Sequence, residues 1–282
     1  MTLGNISRVT KYDLQIFLLM LILWFASCSA CFAGTPIRNF QWGIGFGGQH
    51  LNDYRGSREF QSNALPFPVV LFESKFLKID EEEGVSAQFF QTQRYEINIS
   101  GDLALRSSSD QNRLRQDMPI LDTAAELGPS LNVLLSGQSF EHGWTLRFPL
   151  RAVVAANFDD WQAKGIGYTF NPELTFKRQN VLPKWSFKLA LGSVFGSEAY
   201  HDYYYSIASR YVTTERQYYQ AKSGFGGVFS EVSLSGKYPD WLFEVGLRYD
   251  NLAGANFIES DLVATKHYWS FGIGAARLIS IR

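Results

Sequence analysis

Cysteine and histidine are both scarce in this sequence. The 282 residues include 2 cysteines and 4 histidines. Both cysteines, Cys28 and Cys31, lie in an N-terminal segment that we predict to be removed. The remaining chain would then have no thiol, which excludes disulfide bonds, thiolate nucleophiles and cysteine-based zinc sites.

The histidines do not have the spacing of a metal site. They are His50, His142, His201 and His267, and none has a second histidine or a carboxylate at metal-ligand spacing. His201 is followed by Asp202, but adjacent side chains of an extended chain point apart. We therefore predict no metal and no cofactor, and we expect His201 to be a solvated loop residue.

Long apolar runs are also missing beyond the N-terminus. No run there approaches the roughly 18 residues of a membrane-spanning helix, and mean hydropathy is -0.12. A protein that crosses the membrane with several helices is thereby excluded. The formal net charge of -1 gives no reason to expect nucleic-acid binding. The sequence is instead rich in aromatic residues (16%) and contains 24 glycines, a composition typical of β-barrels.

The N-terminus has the pattern of a secretory signal. Arg8 and Lys11 precede an uncharged apolar run, and small residues stand just before a possible cleavage point between Ala33 and Gly34. We predict a signal peptide over residues 1–33 and one barrel domain over 34–282. A retained membrane anchor and a lipoprotein, the latter because of a lipobox-like stretch before Cys28, are the alternatives.

The clearest internal pattern is strict alternation over residues 96–106. Ile97, Ile99 and Leu103 alternate with polar residues, so a strand here is apolar on one face and polar on the other. The same alternation recurs over segments of about 9–11 residues, the length of a tilted membrane strand. The charged residues on the polar faces are Glu96, Asp102, Arg106, Arg147, Arg151, Glu173, Lys177, Lys188, Glu244 and Arg248.

These charges would not be accepted by a packed core, but a wet barrel lumen would accept them. We therefore predict an all-β, transmembrane antiparallel β-barrel. The mixed signs predict ion pairing across the lumen, whereas a strongly selective pore would need a ring of one sign.

Thirteen segments have strand-like patterns. They are residues 40–48, 68–73, 76–80, 85–93, 95–106, 121–135, 144–155, 165–177, 184–195, 206–213, 226–236, 241–250 and 268–281. Bacterial single-chain barrels have an even number of strands, so we predict about twelve, within a range of 10–14. At least one of the thirteen assignments is therefore wrong, and we expect it to be one of the short segments between Val69 and Gln93. With the N-terminus in the periplasm, the first loop, 49–63, would face outside.

Several motifs, in this order, resemble one family. A glycine-rich first strand is followed by Asp53, Tyr54, Arg55, Gly56 and Ser57, and then by Leu65 and Pro66 at the entry to the second strand. A tyrosine-rich segment at 195–205 and the segment 250–263 extend the match. The chain thus resembles the MipA/OmpV family of outer-membrane proteins over almost its whole predicted mature length. It departs from the family at its end, where Leu278 stands in place of the usual terminal aromatic residue.

The resemblance implies a non-enzymatic protein of the Gram-negative outer membrane. Its partners would be outer-membrane lipids and, as for the family's namesake, a periplasmic murein hydrolase (a lytic transglycosylase) and a murein synthase. A scaffold for these enzymes is the leading hypothesis. A small-solute, porin-like channel is the alternative, and an outer-membrane barrel hydrolase is the third, since a serine and a histidine from distant strands can meet in space.

Overall fold

The computed structural model describes residues 39–73, 77–80, 84–104, 112–157 and 161–280. These residues form thirteen strands: β1 (Asn39–Asn52), β2 (Phe60–Glu73), β3 (Leu77–Asp80), β4 (Gly84–Gln91), β5 (Tyr95–Ala104), β6 (Thr123–Ser139), β7 (His142–Asn157), β8 (Gln162–Phe170), β9 (Glu173–Leu182), β10 (Trp185–Gly196), β11 (Gly224–Lys237), β12 (Trp241–Asn251) and β13 (His267–Ser280). One helix, α1 (Glu198–Tyr205), lies between β10 and β11. The predicted signal peptide, Arg106 and the acidic run at 81–83 lie outside the described residues.

All strand pairs in the described sheet are antiparallel, and the sheet closes on itself. Consecutive strands pair with each other except β8 and β9, each of which pairs with β7 and β10, and β13 pairs with β1. The circle of strand pairings is therefore closed, although the described contact between β2 and β3 is confined to the pairs Phe72–Ile79 and Glu73–Lys78. Strands that pair on both sides satisfy their backbone hydrogen bonds within the sheet, as a hydrocarbon environment requires.

The thirteen described strands occupy twelve positions around the barrel. β8 and β9 both pair with β7 in one continuous register, with Leu150 opposite Phe170 and Arg147 opposite Glu173. They are two halves of one strand that is interrupted at Asn171 and Pro172. Proline has no N–H to donate to the ladder, which accounts for the break. The prediction of twelve strands is confirmed.

Side chains alternate between the two faces of the sheet, as the sequence pattern predicts. In β1, Trp42, Ile44 and Phe46 are exposed on the outer face, whereas Gly43 and Gly45 are buried on the inner face. In β9, Leu174 lies on the outer face and Thr175 is only 1% exposed. A wide outer band of apolar side chains surrounds a polar interior, which is the arrangement of a membrane barrel.

Two strand predictions are wrong. Residues 206–213 are not a strand: Ile207 makes one isolated bridge with Tyr219, and a 3-10 turn follows at Ser209–Tyr211. Ile207 is instead completely buried in a hydrophobic cluster formed by the loops. The second wrong prediction is the strand over 68–73, which begins at Phe60 as β2. The predicted first loop therefore shortens to residues 53–59. The short segments that we expected to be wrong are the genuine strands β3 and β4.

Ile166 alternates in phase with the exposed residues Tyr168 and Phe170, yet its side chain points inward. Between Val153 and Val154 the register of β7 with β8 shifts, so Ile166 occupies a bulge. Ile166 is 2% exposed and packs with Val153 and Ala155 inside the barrel.

The two ends of the barrel differ. The connections β1–β2, β5–β6, β10–β11 and β12–β13 are the longer ones and leave the same end. The described turns at the opposite end are short, for example the two residues between β6 and β7. Among the described residues, no helix has the length and hydropathy needed to cross a membrane.

Candidate functional site

The four long connections fold together over one mouth of the barrel. We call residues 53–59, 112–122, 197–223 and 252–266 the cap. Ten buried residues of the cap and adjoining strands form one hydrophobic cluster: Tyr54, Leu121, Tyr205, Ile207, Ala221, Leu252, Ala255, Phe257, Leu262 and Tyr268. At its centre the rings of Tyr205 and Phe257 stack with centroids 3.6 Å apart. The cap is thus a packed structure with its own core, and it covers the lumen.

Arg55 of the predicted family motif fastens the cap to the barrel wall. Its Nε and Nη2 donate to Asp250 Oδ1 of β12 at 3.1 and 2.9 Å, and its Nη1 donates to the Gly226 carbonyl of β11 at 2.9 Å. The side chain of Asp250 is 2% exposed. A carboxylate that is removed from water needs charged donors of this kind, so the contact is a strong one.

Tyr54 and Gly56 of the motif join the β1–β2 connection to the β12–β13 connection. The Tyr54 hydroxyl donates to the Leu262 carbonyl at 2.7 Å, and burial raises the pKa of Tyr54. The Gly56 carbonyl accepts from the amides of Ala264 and Thr265. Gly56 has φ +94, and a side chain there would press on Leu252 and Val263, which explains the glycine.

Asp53 and Ser57 both hold Asn112. The Asn112 Nδ2 donates to Asp53 Oδ2 at 2.8 Å and to Ser57 Oγ at 2.9 Å. Leu65 and Pro66, by contrast, are not part of the cap. They lie within β2, opposite Gly47 and Phe46, and Pro66 is exposed on the outer face.

Two buried arginines donate hydrogen bonds to backbone carbonyls of the cap. Arg115 donates to the carbonyls of Tyr204 and Pro119, and Arg216 donates to the carbonyls of Tyr211, Leu114 and Gln116. Their relative exposures are 4% and 5%. Irregular backbone has carbonyl groups without ladder partners, and the guanidinium groups satisfy them.

The structure places most of the described sequence-predicted charges on the inner face, and it places oppositely charged groups beside many of them. These contacts include Arg147–Glu173 at 3.2 Å, Arg151–Glu126 at 3.8 Å, Arg151–Asp102 at 4.0 Å, Lys177–Glu141 at 3.8 Å, Lys188–Glu231 at 3.4 Å, Arg248–Glu231 at 3.6 Å and Arg248–Asp250 at 2.7 Å. Glu96 Oε1 accepts from the amides of Asn98 and Asn132. Glu244 is exposed in the same alternating row of β12 as Arg248.

A cavity of ≈ 930 Å³ lies between the cap and these charges. Tyr200, Tyr204 and Tyr205 of α1 line it on the cap side, and Arg147, Glu126 and Arg248 line it on the wall. The walls of the cavity therefore carry charges of both signs.

Sequence reasoning missed the carboxylates that complete the network. Asp250, Glu126, Glu231 and Glu141 were not among the predicted lumen charges, although Asp250 has the same parity in β12 as Arg248. The alternation along β12 is therefore enough to predict that Asp250 lies on the inner face. Glu126 and Glu231 also lie on inner faces, but their segments lack the clear alternation that marks residues 96–106.

Helix α1 was missed as well. It begins after Ser197, whose Oγ accepts from the amide of Tyr200 at 3.3 Å and from the amide of Tyr168 in β8 at 3.0 Å. The helix turns His201 into the barrel, and the prediction of a solvated His201 is wrong, because its exposure is 0%. Burial lowers the pKa of His201 below its ordinary value, and nearby Arg55 lowers it further, whereas the bond to the Lys222 carbonyl raises it.

Among the described residues, no group of three or more His, Cys, Asp or Glu side chains could hold a metal ion. A serine and a histidine are hydrogen-bonded on the outer face, where Ser62 Oγ lies 2.8 Å from His50 Nδ1. His50 stacks between Phe60 and Phe271 there.

Comparison with known proteins gives matches to solved structures and to one family model. No curated protein matches the chain significantly. Among solved structures, OccK2 (OpdF) of Pseudomonas aeruginosa in complex with glucuronate aligns with 10% identity and a TM-score of 0.22, covering 76% of this chain and 64% of that one. The chain thus spans slightly less than two thirds of that structure. A second OccK2 structure aligns with 10% identity and a TM-score of 0.21, covering 86% and 98%.

The family model described as "MltA-interacting protein MipA" matches residues 44–278. The match runs from within β1 to within β13, and so it includes the cap and the charged inner face. The chain belongs to the MipA family and is an outer-membrane β-barrel.

Proposed function

We propose that this protein is a non-enzymatic scaffold that holds murein-remodelling enzymes, a lytic transglycosylase and a murein synthase, at the outer membrane. The family description names a protein that interacts with MltA. The observation that carries the proposal is the cap: one mouth of the barrel is covered by a packed cluster and fastened by the Arg55–Asp250 contact. A barrel that is covered in this way is better suited to anchoring a partner than to passing solutes.

The surface available to a periplasmic partner is, in this proposal, the end opposite the cap. Its short turns include residues 92–94, 183–184 and 238–240. Lys184 lies over the ring of Tyr238 with Nζ 4.9 Å from the centroid, and Trp241 is 44% exposed beside them. Aromatic and basic side chains at a rim are typical anchors of protein interfaces. We infer that this rim faces the periplasm and carries the docking contacts.

A binding experiment tests the scaffold. The refolded barrel in nanodiscs is immobilised, and a purified lytic transglycosylase is passed over it at neutral pH. We expect saturable binding that the pair Lys184→Glu and Tyr238→Ala weakens at least tenfold. Lys222→Glu, an exposed lysine of the cap, is the matched control and should leave binding unchanged. Absence of binding to the wild-type barrel would refute the scaffold.

The second candidate is a small-solute channel, and the ≈ 930 Å³ cavity with charged groups on its walls favours it. Conductance of single barrels in a planar bilayer at neutral pH separates the two candidates. A scaffold with a fastened cap should be folded and silent. Stable, ion-selective steps at neutral pH would support the channel and make the inner charges its functional residues.

The described residues give little support to the third candidate, a hydrolase. His50 contacts Ser62 through Nδ1, and no carboxylate among the described residues is hydrogen-bonded to His50, whereas a catalytic histidine needs a group that orients its second nitrogen. We infer that this pair belongs to the outer aromatic surface that meets lipid. Ser62→Ala should therefore leave every envelope phenotype unchanged.

Export is proposed to involve cleavage between Ala33 and Gly34. The intact mass of the protein purified from outer membranes measures this directly. A mass that includes residues 1–33 would point to a retained anchor instead.

A further inference from the structure

We propose that the barrel is an acid-opened pore, in which protonation of His201 releases the cap. This activity is separate from partner binding, because it concerns the capped end of the barrel. It follows from where the imidazole lies, what each ring nitrogen contacts and which charges surround it.

His201 lies at the junction of the cap and the wall. Its ring is 0% exposed and packs on Phe257 of the β12–β13 connection, with centroids 4.9 Å apart. On the wall side it faces Gly196 of β10 and Gly226 of β11, and a side chain at Gly196 would collide with Nε2. The wall thus has two glycines where the ring approaches it, and the ring fills the space between three elements.

The hydrogen bonds of His201 fit a neutral ring. Nδ1 lies 2.7 Å from the Lys222 carbonyl, and since a carbonyl only accepts, Nδ1 carries the proton. Nε2 is buried, and no described group is hydrogen-bonded to it. A second proton on Nε2 would therefore create a buried donor without an acceptor, which is costly.

The charged and titratable neighbours add to that cost. From the helix, Tyr200 and Tyr205 face the ring, and both are neutral at physiological pH. From the β1–β2 connection, Arg55 brings a positive charge, and its partner Asp250 already accepts from Arg55 and Arg248. The side chains of Lys222 and Asp202 are exposed. Among these groups there is no carboxylate available to compensate an imidazolium.

The direction of the pH effect follows from linkage. With the cap closed, burial holds the pKa of His201 below its ordinary value; with the cap open, the ring would titrate normally near pH 6.5. The open state thus binds one more proton below that pH. The ratio of open to closed barrels rises by up to about tenfold per pH unit as the pH falls, until the closed state is itself protonated.

Opening would expose the cavity and its charged walls to the outer solution. The lumen below it carries both signs of charge, paired across its walls. The open pore should therefore pass small hydrophilic solutes with weak selectivity between cations and anions.

Single-barrel conductance between pH 7.5 and pH 4.5 tests the proposal. We expect silence at pH 7.5 and an open probability that rises at least tenfold by pH 4.5 with the slope of one proton. His201→Gln leaves a neutral polar side chain that does not titrate, so it should stay silent at pH 4.5. His267→Gln, an exposed histidine bonded to Tyr249, is the control and should respond to acid like the wild type.

A wild-type barrel that stays silent at pH 4.5 would overturn the proposal, and so would a His201→Gln barrel that opens in acid like the wild type. If His201→Gln does not fold, hydrogen exchange of the wild type gives the answer. After correction for intrinsic rates, residues 197–223 should lose protection at pH 4.5 while β6 keeps it. Equal protection at both pH values would also overturn the proposal. Neither result bears on transglycosylase binding at neutral pH.

Discussion

At the scale of single residues, Arg55 shows what the Asp-Tyr-Arg-Gly-Ser motif does. From the sequence these residues could only be recognised as family-like. In the structure each one holds the cap together: Arg55 reaches the wall, Tyr54 reaches Leu262, and Gly56 turns the chain where a side chain would not fit. The motif is therefore a structural fastening, and its residues need not touch any ligand.

Arg55→Met should destabilise the cap by about 2–3 kcal/mol, because three hydrogen bonds to charged or buried acceptors are lost. Urea unfolding of the barrel in detergent and protease cleavage within residues 197–223 measure the effect. Arg58→Met is the matched control, since Arg58 is exposed and donates to the Ala264 carbonyl at 3.0 Å; it should cost less than about 0.5 kcal/mol. Similar losses for both variants would contradict the fastening role of Arg55.

At the scale of elements, the outer face of β9 has two leucines at different depths in the apolar band, Leu174 near its middle and Leu182 near its edge. Leu174→Arg should impair insertion by about 2–4 kcal/mol, because it places a charge in the middle of the apolar band. Leu182→Arg lies on the same strand beyond Arg178, at the edge of the barrel, and should cost about 0–1 kcal/mol. Folding into vesicles under a urea titration measures both, and equal costs would mean that the outer face is misassigned.

Helix α1 depends on Ser197, the residue that precedes it and caps its N-terminus. Ser197→Ala removes the acceptor for the amides of Tyr200 and Tyr168, and should cost about 1–2 kcal/mol of cap stability. Hydrogen exchange of residues 198–205 measures this. Thr214→Ala, an exposed position of the same connection, is the control, and loss of protection there as large as in Ser197→Ala would argue against a capping role.

How far the sequence predicts these elements depends on whether a segment meets one environment on each face. Residues 144–152 alternate because every second side chain meets the outer band, so β7 was predictable. Residues 206–213 alternate for another reason, the burial of Ile207 in the cap. The bulge at Ile166 reverses the faces locally, and no residue type marks it clearly. The cap itself joins Tyr54 to Leu262 and Asn112 to Ser57, contacts between distant positions that periodicity does not contain.

At the scale of the whole molecule, closure rests on the seam between β1 and β13. Because the predicted mature chain has no cysteine, an introduced pair can report on this seam without background. Phe46→Cys with Ala275→Cys places two thiols on directly opposed outer-face positions, and opposed residues are close enough for a disulfide.

We expect this pair to cross-link in the folded barrel and to change its mobility on denaturing gels. Phe46→Cys with Phe271→Cys is the mismatched control, since Phe271 is opposed to His50 rather than Phe46. Cross-linking of both pairs alike, or of neither, would mean that the seam has a different register.

The same seam has a consequence for biogenesis. Gln41 is opposed to Ser280, so the first strand meets its second partner only after nearly the whole chain has been synthesised. Pairings between such distant residues form slowly, and the chain carries its apolar rows uncovered until they form. A chain that stops before β13 leaves β1 and β12 as unpaired edges, which readily add strands from other molecules. Premature termination should therefore produce aggregating fragments rather than smaller working barrels.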